Sequence, residues 1–162
     1  MSHISATKKE RDLVGDIKNK KAAHNFFIEE RFEAGIALSG TEVKAIRAGH
    51  AQISEAFVKI DKAGIPVLFN ANVDEYRFGN IANHAPTRTR KLLLHKSEIR
   101  KLKNAVEKDG LTILPLRLFL SHGLIKIEIA ICRGKKLFDK RATLKERTEW
   151  REAERALAKF RR

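Results

Sequence analysis

Alternation of hydrophobic and polar residues is most regular in the stretch before the C-terminal segment. Leucine occupies every second position from Leu114 to Leu120, and isoleucine every second position from Ile125 to Ile131. Because successive side chains of a β-strand point to opposite faces, each run predicts a strand with one buried face. Arg117, Lys126 and Glu128 are expected on the outer faces. The Ser-His-Gly turn between the runs predicts a hairpin.

Three earlier runs also have strand character. From Phe26 to Glu33 the even positions are mostly apolar, interrupted by Glu30, and the odd positions from Glu29 onward are charged, which predicts a half-buried strand. The runs Ile53 to Ile60 and Ile65 to Asn70 are separated by an Asp-Lys-Ala-Gly sequence. That spacing predicts a second hairpin.

Two short segments have helical spacing instead. Thr41 is the predicted N-cap of a helix from Glu42 to Ala48, which presents Val43 and Ile46 to the core and ends at Gly49. A second helix begins at Ser97 and ends at Gly110; its inward residues are Ile99, Leu102 and Val106.

Short strands in hairpins with two small helices favour a mainly β fold, a partly closed antiparallel barrel that leaves few free strand edges. The segment from Asp74 to Pro86 is a predicted loop. We expect a flexible N-terminal arm over residues 1–18, the barrel over 19–132 and a separate C-terminal tail over 133–162.

The tail is unusually basic. It contains twelve Lys or Arg and five Asp or Glu residues, so its net charge of +7 is half of the +14 of the whole chain. On a helix from about Thr143, the row Arg147, Arg151, Arg155 and Lys159 lies opposite a thin apolar row that includes Trp150. Like charges four residues apart disfavour an isolated helix, so the tail is expected to fold on an anionic partner. The alternative is a solvated terminal helix docked on the core by its apolar row.

Overall charge and composition limit the classes of function. A net charge of +14 and a pI near 10.2 favour a polyanionic partner, first of all nucleic acid. No apolar run is long enough to span a membrane, and no signal peptide is recognisable, so no membrane partner is expected. The single cysteine, Cys132, fits a reducing compartment, and we expect a cytoplasmic monomer.

Catalytic and cofactor motifs are missing from the sequence. The six histidines have no metal-ligand spacing, and there is no phosphate-binding loop or nucleophile elbow. Cys132 ends an apolar strand and is predicted to be a small core residue. The sequence therefore predicts a protein without metal or cofactor that is not an enzyme.

Two basic clusters precede the tail. Lys20 and Lys21 lie next to the first strand, and Arg88-Thr89-Arg90-Lys91 leads into Leu92-Leu93-Leu94. Three cations in four residues favour contact with a nucleic-acid backbone over a solvated loop, which is the alternative.

Four blocks occur in one order and are specific together: Glu33-Ala34-Gly35-Ile36; Gly40-Thr41-Glu42-Val43-Lys44 with Arg47 and Gly49; Arg88-Thr89-Arg90-Lys91-Leu92-Leu93-Leu94; and Gly134-Lys135-Lys136 with Asp139-Lys140-Arg141. From about Asn19 to the end, the chain closely resembles the SsrA-binding protein family (SmpB), the partner of transfer-messenger RNA. The resemblance implies an oligonucleotide-binding-type barrel that binds the tRNA-like part of this RNA. It also implies a tail that enters the empty mRNA channel near the decoding centre of stalled ribosomes.

Positions that match the family's RNA face are Glu33, Leu93 and Lys126. Lys126 would meet a phosphate, Glu33 a base edge, and Leu93 an unstacked base. Without the resemblance, Leu93 is an ordinary core residue and Glu33 a solvated carboxylate beside a cation. The complete set of predicted RNA-binding residues is Lys20, Lys21, Glu33, Lys44, Arg47, Arg88, Arg90, Lys91, Leu93 and Lys126.

Tail residues are predicted to contact the small-subunit rRNA of the ribosome. Phe138 lies where family members carry a ring, often His or Tyr, and would contribute stacking without a polar edge. Trp150 is either a stacking or a packing residue. The predicted ribosome-contacting residues are Gly134, Lys135, Lys136, Phe138, Asp139, Lys140, Arg141, Arg147, Trp150, Arg151 and Arg155. The alternative function is that of a general ribosomal or structured-RNA-binding barrel protein.

Overall fold

The computed structural model describes residues 15–79 and 83–160, apart from the side chains of Leu137 and Phe138. In chain order the elements are β1 (Ile17–Lys18), α1 (Lys20–Asn25), β2 (Phe26–Ile36), α2 (Gly40–Arg47), β3 (Ala51–Gln52), β4 (Phe57–Ile60), β5 (Pro66–Phe69), β6 (Asn72–Val73), β7 (Arg90–Leu93), α3 (Lys96–Asp109), β8 (Thr112–Ser121), β9 (Leu124–Gly134) and α4 (Leu137–Phe160).

The main sheet closes into a ring. Its strands follow the order β1-β8-β4-β5-β7-β2-β9, and an additional pairing of β8 with β9 joins the two sides. Every pairing is antiparallel, and β9 contributes the longest ladders, with β2 on one side and β8 on the other. The predicted antiparallel, oligonucleotide-binding-type barrel is confirmed. Short β3 and β6 form a separate pair.

The ring encloses the main hydrophobic core. Ile127 and Ile129 of β9 are fully buried there, and so are Ile46 of α2 and Leu102 of α3. The two helices therefore cover the ring with their apolar rows, as their spacing predicts. Val106 of α3, predicted to face inward, is 41% exposed and lies at the margin of this contact.

Two β-bulges divide the long strands between two clusters. Register shifts occur between Ile28 and Glu30 of β2 and between Pro115 and Arg117 of β8. A bulge adds one residue to a strand and so moves the following side chains to the opposite face. Leu114 and Leu116 pack in a small cluster below α1, whereas Leu118 and Leu120 belong to the main core. The prediction of one common face for these leucines is wrong.

Both predicted hairpins are confirmed, with shorter strands in the first. β4 begins at Phe57 rather than at Ile53, and the Asp61 carboxylate accepts hydrogen bonds from the backbone of Ala63 and Ile65 to fix the turn. In the β8–β9 turn, His122 and Gly123 have φ values of 50° and 80°. Two successive positive φ values are typical of the type I′ turn that suits the twist of a hairpin.

Helix α2 begins earlier than predicted. Its N-cap is Ser39, whose backbone N–H donates to the Glu42 carboxylate at 2.9 Å while Glu42 N–H donates to the Ser39 hydroxyl. This reciprocal capping box replaces the predicted Thr41 cap. Helix α3 ends at Gly110, as predicted, with φ of 62°.

The two terminal segments differ in their attachment to the barrel. Residues 1–14 of the predicted arm lie outside the described residues. Ile17 and Lys18, which the prediction includes in the arm, pair with Leu118 and Arg117 in the sheet. Helix α4 begins at Leu137, six residues before the predicted start, and its side chains from Leu144 onward are exposed. In this structure the apolar row of the helix is exposed and does not dock on the core, contrary to the alternative of a docked terminal helix. Folding of the tail upon a partner stays a prediction.

Candidate RNA-binding surface

A shallow cleft lies on the barrel surface between β7, helix α2 and the β8–β9 turn. Its volume is about 350 Å³. The two leucines at its rim, Leu93 and Leu124, are each 65% exposed. We call this site the leucine cleft; it is lined by Gly35, Ile36, Leu38, Val43, Arg47, Leu93, Gly123, Leu124, Ile125 and Lys126.

Leu93 reaches the surface because β7 alternates. Leu92 is buried in the main core, so the next side chain along the strand points outward. Opposite it in the ladder is Gly35, where an added Cβ would lie 3.2 Å from the Leu93 Cβ. Glycine at this position leaves room for the leucine to lie across the strand. The alternative of an ordinary core residue is therefore excluded for Leu93.

Lys126 and Glu33 form an ion pair beside the cleft. Gly35 pairs with Lys126 across the ladder, which places Glu33 diagonally within reach, and Lys126 Nζ donates to Glu33 Oε1 at 2.7 Å. Glu33 is half exposed. A surface ion pair of this kind contributes about 0–1 kcal/mol, so an anionic ligand displaces it at little cost.

Helix α2 adds two cations to this side of the barrel. Arg47 lines the leucine cleft, and its Nη2 donates to the Gly123 carbonyl at 3.3 Å, which ties the helix to the β8–β9 turn. Lys44 is exposed on the neighbouring face of the helix, with Nζ 5.1 Å from the ring centroid of Tyr76. The predicted residues Glu33, Arg47, Leu93 and Lys126 thus lie together, and Lys44 borders them.

Arg90 lies in the interior, and its interpretation as an RNA contact is wrong. Its side chain is fully buried, as is the Glu42 carboxylate, and Arg90 Nε donates to Glu42 Oε1 at 3.0 Å. Arg90 Nη2 also lies 3.0 Å from Glu42 Oε1, and the two terminal nitrogens donate to three backbone carbonyls, among them Ala71 at 2.9 Å and Pro86 at 3.1 Å. A short strand that alternates faces sends Arg90 inward and Lys91 outward.

Arg88 completes this buried network from the rim. It donates through Nε and Nη2 to both oxygens of Glu42 and is itself about one-third exposed. Burial raises the pKa of Glu42, but hydrogen bonds from Arg88 and Ser39 and the charges of both arginines outweigh it, so that the pKa is lowered. Arg88 is therefore first a structural partner of Glu42. Lys91 is exposed in β7 and lines a cleft with Arg88.

Lys20 and Lys21 lie away from the leucine cleft, on α1. Lys21 pairs with Glu55, and both side chains are exposed. Lys20 lines a groove of about 510 Å³ whose wall also includes Arg147 of α4. Arg31 and Arg117 in the same groove share the carboxylate of Glu128, at 2.9 Å and 2.6 Å.

Lys135 holds the base of the tail. Its backbone N–H donates to the Asn25 carbonyl at 2.8 Å, and Nζ donates to the Ala23 carbonyl at 3.2 Å and to Thr143 Oγ1 at 2.9 Å. The same ammonium lies 5.0 Å from the centroid of the Phe27 ring. These contacts join α1, β2 and the second turn of α4, so we call them the tail latch. They give Lys135 a positioning role in addition to its predicted ribosome contact.

Asp139 has a local role as well. Its carboxylate accepts a hydrogen bond from the backbone N–H of Lys136 at 3.3 Å, in the first turn of α4. An acidic residue there stabilises the helix N-terminus. The side chain of Phe138 lies outside the described part. Gly134 ends β9 and is exposed, Lys140 is half-buried, and the other predicted tail residues on the helix are exposed: Arg141, Arg147, Trp150, Arg151 and Arg155.

Leu124 is a site residue that the sequence analysis does not include. The alternation of β9 could have indicated this exposure. The isoleucines at odd positions from Ile125 onward are buried, so Leu124, at an even position, is expected on the opposite, outer face of the strand. Its proximity to Leu93, from a distant part of the chain, depends on strand β2, in which Gly35 pairs with Leu93 of β7 on one side and with Lys126 of β9 on the other.

Within 15–79 and 83–160, no group of three or more His, Cys, Asp or Glu residues is placed to hold a metal ion. Burial raises the pKa of the Cys132 thiol to about 11, and the residue packs in the small cluster, which confirms its prediction as a core residue. No helix among these residues has the length and apolar character needed to cross a membrane.

Fold and surface together define a small basic β-barrel protein with an apolar and cationic cleft and a protruding basic helix. The model of the SmpB protein family matches residues 16–159. The chain belongs to the SmpB family.

Individual relatives agree with this assignment. An SsrA-binding protein of Bifidobacterium longum is 52% identical over 141 residues, which cover 87% of this chain and 89% of the relative. An SsrA-binding protein of Geobacter sulfurreducens is 49% identical over 139 residues, covering 86% and 90%. A chain of a solved structure described as "tmRNA-SmpB: a journey to the center of the bacterial ribosome" superposes with a TM-score of 0.63 and 42% identity, covering 75% of this chain and 85% of the other.

Proposed function

We propose that this protein binds the tRNA-like part of transfer-messenger RNA and takes part in trans-translation, the rescue of stalled ribosomes. The observation that carries this proposal is the leucine cleft, which two exposed leucines line together with Arg47 and Lys126. The description of close relatives as SsrA-binding proteins supports the same ligand.

The cleft has the chemistry that structured RNA requires. Proteins recognise folded RNA mainly at unstacked bases, which they cover with apolar or planar side chains, while cations contact the phosphates. Leu93 and Leu124 supply the apolar surface. Lys126 and Arg47 supply the cations. When Lys126 leaves its ion pair with Glu33 to contact a phosphate, the Glu33 carboxylate can accept a hydrogen bond from a base edge.

Helix α4 supplies a second surface, which we propose contacts the small-subunit rRNA near the decoding centre and the empty mRNA channel. Its 24 residues correspond to a rod about 36 Å long at 1.5 Å per residue. Arg147, Arg151 and Arg155 lie exposed along it. The protein then acts in the cytoplasm as an adaptor that positions one RNA on another, without cofactor and without catalysing a reaction.

A competition experiment tests the ligand. Labelled transfer-messenger RNA bound to the protein is challenged with excess bulk tRNA or rRNA fragments. The adaptor is expected to retain transfer-messenger RNA, and Lys126→Ala is expected to weaken this binding severalfold because a charge-assisted contact is lost. Equal displacement by all RNAs would favour the alternative, a general structured-RNA-binding protein.

A further inference from the structure

The loop after β6 presents aromatic rings to solvent next to the proposed RNA surface. The side chain of Phe78 is 72% exposed. No other large hydrophobic side chain in the described residues before the tail, 15–79 and 83–134, is as exposed. Tyr76 packs edge-on against it, with ring centroids 5.7 Å apart and planes at 70°. An exposed ring supported by a second ring is the arrangement that receives a stacked base in many single-stranded RNA sites.

Tyr76 and Asn83, two described residues of this loop, are hydrogen-bonded to each other. The Asn83 side chain accepts from Tyr76 N–H at 3.0 Å and donates to the Tyr76 carbonyl at 2.7 Å. Gly79 packs so close to Asn83 that an added Cβ would lie 2.8 Å from Nδ2. The backbone of Tyr76 is therefore fixed before a ligand binds, which lowers the entropy cost of binding to its ring.

His84 fastens the same loop to the barrel. Its Nδ1 lies 2.8 Å from Thr41 Oγ1 and its Nε2 lies 2.9 Å from the Val73 carbonyl, in a buried position. Thr41 belongs to α2, the helix that also lines the leucine cleft. The loop and the cleft thus flank one rigid helix.

Charges around the rings suit a base with its adjoining phosphates. Lys44 Nζ lies 5.1 Å from the Tyr76 centroid, and the Arg77 guanidinium lies 5.8 Å from the Phe78 centroid. Asp74 and Glu75 are exposed in the same loop and repel phosphate from its start. The uncharged ring surface with cations on two sides therefore favours an unstacked base whose phosphates lie towards Lys44 and Arg77.

We infer that Tyr76 and Phe78 form a stacking platform for one unpaired base of the bound RNA, in continuity with the leucine cleft across α2. This inference rests on the proposed function for the identity of the RNA. It gives the protein a second base contact beside the helix that also lines the leucine cleft. Lys44 and Arg77, and not the buried Arg90, then contribute the adjoining cations.

Substitution of Phe78 tests the platform with full-length protein and transfer-messenger RNA. Phe78→Ala is expected to lower affinity about tenfold, within the range that one stacked base contributes, and Phe78→Trp to retain it. The slope of log affinity against log salt is expected to stay unchanged in Phe78→Ala and to decrease in Lys44→Ala, because only the lysine releases counterions. Val106→Ala, which truncates an exposed apolar residue on α3, is the matched control and is expected to bind like the wild type.

Ultraviolet crosslinking followed by mass spectrometry identifies the contact directly. A crosslink between an RNA base and the peptide that contains Tyr76 and Phe78 supports the platform. Wild-type affinity of Phe78→Ala, or equal weakening by Val106→Ala, overturns it and leaves the proposed function intact. If Phe78→Ala binds RNA normally but loses binding to a ribosomal protein, the occupant is a protein and the inference is wrong.

The proposed function has a separate test. If the wild type does not distinguish transfer-messenger RNA from bulk tRNA, the proposed function is contradicted. If Phe78→Ala then binds both RNAs more weakly than the wild type does, the platform is still supported.

Discussion

Neighbouring residues of the same charge have opposite roles in β7. Arg90 is buried against Glu42, and Lys91, one position later, is exposed. The basic sequence Arg-Thr-Arg-Lys does not distinguish them, because four residues are too few to establish a period. The burial of Glu42 on α2, a partner 48 positions away, decides that Arg90 points inward.

Glu42→Gln is expected to destabilise the protein. The substitution leaves the Arg90 guanidinium buried without its counter-charge, which costs about 3 kcal/mol of the free energy of unfolding. Urea denaturation monitored by circular dichroism measures the change. Glu33→Gln removes an exposed ion pair of the same type and is expected to cost less than about 1 kcal/mol. Equal effects of the two substitutions would contradict the importance of the buried network.

The pH dependence of stability has a defined sign. Because the pKa of Glu42 is lower in the folded protein, its contribution is complete above the unfolded value, about 4.3, and is lost as the pH falls through the folded value. Wild-type stability is therefore expected to decrease as the pH falls below about 4. In Glu42→Gln this decrease of stability at low pH is expected to be smaller. The decrease that remains includes the contribution of Glu128, whose pKa is also lowered in the folded protein.

Leu124→Asp is expected to weaken binding of transfer-messenger RNA more than tenfold with little change in stability. The exposed leucine contributes to the cleft but not to the core, and a carboxylate there would repel phosphate. Electrophoretic mobility shift and thermal unfolding measure the two effects. Val106→Asp introduces the same charge on α3, outside the cleft, and is expected to reduce binding far less.

At the scale of elements, alternation predicts the strands but not their breaks. The bulges at 28–30 and 115–117 exchange the buried and exposed faces of β2 and β8 in mid-strand. The regular leucine pattern of β8 does not show this exchange, because the strand is buried on both faces. Before the bulge its leucines pack in the small cluster below α1, and after the bulge they pack in the main core. Only the packing of α1 against the barrel shows that two buried clusters exist.

Lys135→Ala is expected to loosen the start of α4 while leaving the barrel intact. The change removes two Nζ hydrogen bonds and the contact with the Phe27 ring, but the hydrogen bond from the Lys135 backbone to Asn25 remains. Hydrogen exchange is expected to increase severalfold over residues 137–147 and to stay unchanged in β9.

Lys136→Ala is the matched control for the tail latch. Its backbone N–H, which donates to Asp139, is retained, so exchange in α4 is expected to resemble that of the wild type. Similar loosening in both variants would indicate that charge alone, not the latch, determines the order of the helix.

At the scale of the whole molecule, two surfaces are separated. The leucine cleft lies at one end of β9, near Leu124, and the tail leaves the other end after Gly134. Fully extended, this strand of 11 residues is about 37 Å long at 3.4 Å per residue, which is the upper limit of the separation along it. The proposed surface for transfer-messenger RNA and the proposed ribosome-contacting helix therefore lie at opposite ends of one strand, so that both can be occupied at once.

Truncation after Lys136 is expected to separate the two activities. It leaves β9 and its pairing with Phe26 and Phe27 complete, unlike a deletion from Arg133. Affinity for transfer-messenger RNA is expected to stay within about threefold of the wild-type value, since the leucine cleft and the loop remain. Trans-translation on stalled ribosomes is expected to be abolished. Loss of RNA affinity in a truncated protein with unchanged thermal unfolding would contradict this division.

The sequence by itself determined the class of fold, the two hairpins and the C-terminal ends of α2 and α3, because these depend on local periodicity and on turn and stop residues. It also determined the family, through four blocks in order. Tertiary structure decided which side chains are available. The packing of α2 on the sheet buries Arg90 with Glu42, the pairing of β2 with both β7 and β9 brings Leu124 beside Leu93, and contacts with α1 and β2 engage Lys135 in the tail latch. Each of these depends on contacts between segments far apart in the chain, and such contacts leave no periodic signal in either segment alone.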